Sequence, residues 1–209
     1  MWGPEGLTRA AAANLEAALP VAVARLRAKY GITAAELPDV AAVYPTPRDF
    51  AEIGDYPCVM LAAQETQGQL DTRQTGATGE YDEYMLTYRL RAMIFCMGTS
   101  YDRTELLTQR IVLAVREALL MNKRYGDPEA GDGGVLDARL LRESYAETAS
   151  SSGGFLGGAW VEIGVRSAER LYTTLPSVPV DDLRTSVGSV AASETVSRVE
   201  VHPALIGEP

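Results

Sequence analysis

His202 is the only histidine of the 209-residue sequence, and it sits beside Pro203 near the C-terminal end. A Ser/His/Asp or Cys/His arrangement needs its base held within hydrogen-bond reach by rigid structure, so His202 could serve only if the end of the chain folded back on a core. Cys58 and Cys96 each fall inside an apolar strand-like run. That setting suits a reduced thiol acting as a small hydrophobe, not a thiolate exposed beside cations, and a disulfide would require the two strands to be neighbours. Asp127, Glu129 and Asp132 place oxygen ligands in a glycine-rich stretch, but their spacing departs from the calcium-loop pattern, and a solvated turn is expected. Gly153, Gly154, Gly157 and Gly158 invite a phosphate-loop reading, yet no Lys-Ser/Thr pair and no helical pattern follow them, so they read as a flexible hairpin connection. Glu80, Asp82 and Glu83, with Tyr81 and Tyr84, form an acidic aromatic cluster that could do acid/base work. Nothing completes a pocket around it, and a subunit contact is the expected use, because tyrosine is enriched at interfaces. Arg89 and Arg91 are expected to pair with acids such as Glu162 on a sheet face. No catalytic residue, cofactor site or metal site is assigned, and the chain is read as a non-enzyme.

The elements are more legible than the chemistry. From Met85 to Cys96 the residues alternate: Leu86, Tyr88, Leu90, Ala92, Ile94 and Cys96 on one face, Met85, Thr87, Arg89, Arg91, Met93 and Phe95 on the other. Gly98, Thr99 and Ser100 stop this strand, and Asp102 with Glu105 reads as an N-cap with its capping-box acid. Leu106, Leu107, Ile111, Val112, Val115 and Leu119 then recur at helical spacing. Upstream, Leu7 to Tyr30 is helical in composition, with Leu15, Leu19, Val23 and Leu26 in phase and Gly31 as a stop; Pro20 either kinks this helix or starts a second. Val40 to Tyr44 and Tyr56 to Ala63 read as strands. Gln64 to Asp82 is too polar to bury apolar area and is expected to be a long exposed hairpin arm. Two later strands are expected, Val135 to Glu147 and Trp160 to Ser167, the latter with Val161, Ile163 and Val165 on one face and Trp160, Glu162 and Arg166 on the other. The predicted fold class is α/β in the α+β sense: a mixed, mainly antiparallel sheet of about four or more strands flanked by two main helices, with an extended C-terminal tail. One domain over residues 1–175 and a tail or arm over 176–209 fit the length, since domains run to roughly 100 to 200 residues.

Composition narrows the function. A formal net charge of -9 and a sequence pI near 4.7 disfavour a basic face for nucleic acid. No stretch approaches the ~20 apolar residues of a membrane span, and the N-terminus lacks a signal-peptide pattern, so a soluble protein made in a cytoplasm is expected.

The order of these elements resembles the tail terminator, or tail completion, proteins of long-tailed bacteriophages. The features that carry the resemblance begin with the helix Leu7 to Tyr30, then Val43, Tyr44 and Pro45, then the strand opening Tyr56, Pro57, Cys58, Val59. The polar arm follows, then the strand Tyr88 to Cys96 leading through Tyr101 and Asp102 into the Leu106 to Leu119 helix, and last the Trp160 to Val165 segment. The likeness covers about Leu7 to Leu171 and rests on order and local pattern.

That resemblance implies a structural subunit of the virion, assembled in the host cytoplasm, which forms a ring, commonly a hexamer, at the head-proximal end of the tail tube. The ring would end tube polymerisation and dock to the head–tail connector or head-closure protein. Its partners would be further copies of itself, the tail tube protein and the connector, with no cofactor and no membrane. DNA would pass through the lumen without specific binding, for which an acidic wall is suited. Contacts are expected at Gln67, Gln69, Asp71, Arg73, Gln74, Tyr81 and Tyr84 in the arm, and at His202 in the tail. The rival readings are another neck, head-closure or connector subunit, and a small-ligand-binding α/β domain with a pocket between sheet and helices.

Overall fold

In the computed structural model the alanine- and leucine-rich N-terminus forms one continuous helix, α1 (Gly3–Tyr30). Leu7, Ala11, Leu15, Leu19, Ala22, Val23 and Leu26 recur at three and four residues and are all buried, which is the stripe a surface helix lays on a core. Pro20 lies inside the helix on its exposed side and does not end it. Its missing N–H costs one backbone bond, which the packing on either side of it offsets. The helix stops at Gly31, whose φ of 63° is open to glycine, and Ile32 N–H donates to the Arg27 carbonyl at 3.1 Å, closing the turn over the last orphan carbonyls.

The described residues are 3–74, 81–124, 135–151 and 153–172. Six strands form one sheet: β1 (Ala42–Tyr44), β2 (Cys58–Gln74), β3 (Tyr81–Gly98), β4 (Val135–Tyr145), β5 (Ala149–Ser151) and β6 (Gly154–Tyr172). The spatial order is β1-β2-β3-β6-β4, with β5 paired to β6. β1 runs parallel to β2, whereas β2 with β3, β4 with β6 and β5 with β6 are antiparallel. The second helix, α2 (Tyr101–Met121), carries the chain from β3 across to β4, and β6 returns to fill the place between them. The predicted α+β class is therefore the observed one. β2 and β6 are much longer than the apolar runs that announced them, because ladder pairing continues where the side chains have become polar.

Both helices bury their stripes against the same sheet face. Val59 and Leu61 of β2, Tyr88, Leu90, Ala92, Ile94 and Cys96 of β3, and Val161, Ile163 and Val165 of β6 join α1 and α2 in one cluster. The opposite face holds a smaller cluster around Ile53, Cys58 and Met60, over which the chain before β2 is folded, with Phe50 edge-on to Phe95 at 4.7 Å.

Three local expectations are corrected. The N-cap of α2 is Ser100, not Asp102, and Glu105 instead accepts a hydrogen bond from Thr148 Oγ1 at 2.8 Å. Leu106 is exposed, and the buried stripe is completed by Thr104, Thr108, Ala114 and Ala118, small residues that bring the helix close to the sheet. The reason lies in the glycines read as a flexible connection. Gly157 belongs to β6 and a Cβ there would strike Thr108, just as one on Gly98 would strike Thr104, so these glycines are a seat for α2.

Candidate functional site

The arm is a direct consequence of the register. β2 and β3 pair from Cys58↔Phe95 to Gln74↔Tyr81, with irregularities at Ala63/Glu65 and Leu70/Thr72. Near the core β3 alternates buried and more exposed residues while β2 is buried without a break from Cys58 to Ala62; beyond Ala63, β2 is exposed from Gln64 through Leu70, and polar apart from Leu70. Of the predicted contact residues, Gln67 and Gln69 are exposed on β2, opposite Thr87 and Met85, and Gln67 Nε2 donates to Glu65 Oε1 at 2.8 Å. Tyr84 stands opposite Leu70 on β3 and is half-buried. Asp71 falls at the second irregularity, and Arg73 and Gln74 pair by backbone with Asp82 and Tyr81. The structure thus brings seven of the predicted residues onto the β2–β3 hairpin, whose β3 strand is flanked by β6. His202 lies outside the described residues, as do Glu80, the loop acids Asp127, Glu129 and Asp132, and the 176–209 tail. The acidic aromatic cluster is divided: Asp82 is buried, while Glu83 accepts from Arg170 Nε at 2.8 Å.

The sheet face away from the helices holds the strongest electrostatics. Glu162 has a side chain only 2% exposed, yet it accepts from Arg142 Nε at 2.6 Å and from Arg91 Nε at 2.8 Å. The Arg142 bond holds its carboxyl below the usual range; burial opposes this and Arg91 adds to it. Arg91 also lies over the Trp160 ring, 5.3 Å from its centre. The expected pairing of Arg91 with Glu162 is present, and Arg89 pairs with Glu65 at 3.2 Å instead. The second guanidinium, Arg142, was out of reach of sequence reasoning. It depends on an irregularity between Leu140 and Arg142 that turns Arg142 towards Glu162.

On the helix side, Tyr88 donates its hydroxyl to Glu169 Oε1 at 2.5 Å within the core, and burial first, then Glu169, pushes the phenol pKa up. Cys58 and Cys96 are free thiols. Their strands are neighbours, but Cys58 stands opposite Phe95, so Cys96 points to the other face, where it joins the large cluster. Burial raises Cys58 to about 11 and Cys96 to about 12, so neither is a ready nucleophile.

Among the hollows on the described surface are two shallow ones. One, of about 200 Å³, lies between α1 and β1 and is lined by Glu16, Val23, Asp39 and Val43 among others. The other, of about 150 Å³, lies on the arginine-bearing sheet face. Both are smaller than the ~300 Å³ at which small-molecule sites begin. Among the described residues, no three His, Cys, Asp or Glu side chains gather as metal ligands, and no helix is long and apolar enough to cross a membrane.

No family model matches the sequence, and no curated protein matches it. Among solved structures, a chain described as "Virion of native gene transfer agent (GTA) particle" aligns over 74% of this chain and 94% of its own length, at 13% identity and a TM-score of 0.32. A likeness at that level carries no argument about fold or role.

Proposed function

We propose that the protein is a non-catalytic structural subunit of a phage-type virion, which closes into a ring at the head-proximal end of a tail tube and ends its growth. The observation that carries the reading is the β2–β3 ribbon. Strands of 17 and 18 residues are far longer than the core needs, and beyond Ala63 β2 is exposed through Leu70 and unpaired on its outer edge among the described residues. The β2 side of that arm buries little within its own subunit. It stabilises a structure only by lying on another surface, through backbone edge pairing or side-chain contact. The element order set out from the sequence supports placing that surface on a neighbouring copy and on the tube.

The mechanism needs no proton transfer. A ring forms when one patch repeatedly meets a different patch on the next copy and the rotation closes. One face of that ring would match the end of the tube and the other would not, so growth stops where the ring sits. The test is to polymerise the tail tube protein of the same phage with and without this protein and measure tube lengths by electron microscopy. Capped ends and shorter tubes are expected at substoichiometric addition. Unchanged lengths and bare ends would overturn the terminator role. If the ring instead bound the connector while ignoring the tube, the head-closure reading would replace it.

A further inference from the structure

The sheet face away from the helices, beyond the part that the chain before β2 covers, carries four arginines, Arg89, Arg91, Arg139 and Arg142, against two carboxylates, Glu65 and Glu162. Glu162 is shared by Arg91 and Arg142, and Glu65 is taken by Arg89. Arg139 has no hydrogen bond or ion pair among the described residues. One step further along, Asp137 and Arg166 are cross-strand neighbours and cancel. A surplus of positive charge is therefore concentrated on one face of a chain whose formal net charge is -9.

The shape of that face is set by Gly164, the cross-strand neighbour of Arg139. Because Gly164 has no side chain, the floor drops there, and the hollow of about 150 Å³ opens above it, walled by Glu65, Gln67, Thr87, Arg89, Arg139 and Leu141. A Cβ at Gly164 would already press on Leu141 and Arg139, at 3.3 and 3.4 Å. Leu141 is 42% exposed, an apolar wall beside two guanidiniums. The space suits one short acidic side chain, whose carboxylate fits the planar fork of an arginine and whose methylenes would cover Leu141.

We propose that this arginine-walled hollow receives an exposed carboxylate from a second copy of the chain. The inference rests on the reading that copies associate, and it names the surface through which they do so. Charge complementarity selects the occupant. A phosphate polymer approaches a chain of net charge -9 against repulsion along its whole length, whereas another copy can present a single acid to the one positive face. Glu16, Glu52 and Asp55 are exposed and without a partner among the described residues, so the counter-charge is at hand. Hollow and acid are unlike surfaces, as a closing ring requires.

The test is sedimentation of the full chain and its Arg139→Glu and Arg139→Lys variants at about 50 and about 500 mM salt, concentrations that bracket strong and weak screening. Arg139 is exposed and makes no described contact of charge, so the variants keep the wild-type circular dichroism and melting profile. Wild type is expected to associate at low salt and to weaken about tenfold or more at high salt. Arg139→Glu should weaken the low-salt association about tenfold or more, Arg139→Lys should restore part of it, and the difference should shrink at high salt. Equal association of wild type and Arg139→Glu at both salts would overturn the inference while leaving the ring intact. A wild type that stays monomeric at every concentration, both alone and with the tail tube protein, would overturn both. Retention of a DNA duplex lost in Arg139→Glu, without self-association, would overturn it in favour of a phosphate site.

Discussion

Glu162 shows how a single position links sequence, packing and pH. It sits on the strand face away from the large core, yet Arg91 and Arg142 close over it until it is nearly inaccessible. Its carboxyl pKa is lowered in the folded protein, chiefly by Arg142, so the folded state binds the proton less tightly than the unfolded chain, whose value is about 4.3. The network's contribution is complete above the unfolded value and is lost as pH falls through the folded one. Glu162→Gln is expected to lower stability by about 1 to 3 kcal/mol near neutral pH, and by less below about pH 4, since wild type then loses the same charge. Denaturant titrations at the two pH values check this. An undiminished difference in acid would show that the loss comes from packing. A second prediction concerns the thiols. Cys58 and Cys96 lie on opposite faces of adjacent strands, buried and with raised pKa values. A thiol reagent should label neither in the native protein at neutral pH and both after denaturation, with no disulfide under oxidising conditions. The two-fold alternation of β3 made its core face readable from sequence, residue by residue from Tyr88 to Cys96. The burial of Glu162 was not readable, because it depends on which strand lies beside β3, and β6 arrives there from more than fifty residues away.

At the scale of elements, the helices and strands with apolar periodicity were foreseen, and their ends were not. β2 and β6 outrun their apolar segments because backbone pairing needs a partner, not a hydrophobic side chain. The start of α2 was misplaced by two residues because its first carbonyl and threonine hydroxyls, not a capping acid, close the turn: Thr104 Oγ1 and N–H both donate to the Ser100 carbonyl. From sequence alone the glycines of β6 read as slack in a loop, since a one-dimensional pattern does not show the helix that rests on them. The ribbon gives the prediction proper to this scale. Replacing residues 70–84 by a two-residue Asn-Gly turn joins Gln69 to Met85, which already face each other, in a favoured hairpin geometry. The removed stretch lies beyond the core cluster but takes with it the buried Asp82 and the Glu83–Arg170 pair, so the fold should hold and the melting temperature should stay within about 10 °C of wild type. Self-association, by contrast, should be lost. A truncated chain that assembles like wild type would remove the arm, and with it Asp71, Arg73, Gln74, Tyr81 and Tyr84, from the interface.

For the whole molecule, the features that bear on assembly lie on the described surface. Its thiols are held protonated, and its Arg91–Glu162–Arg142 network is folded into the sheet. What extends from the core is a polar ribbon, and the far edge of the sheet shows Leu136, Leu140, Leu141 and Tyr145 of β4, each at least 40% exposed. An edge strand that presents apolar side chains and unpaired backbone groups is covered in a stable assembly or is prone to aggregate. Ring closure would cover it. The most direct measurement is therefore the mass of the purified full chain over a range of concentrations, by light scattering after size exclusion, alone and with the tail tube protein. The account predicts a closed oligomer of about six subunits, or a monomer that becomes one when tube protein is added. A monomer or dimer indifferent to tube protein at every concentration would contradict it.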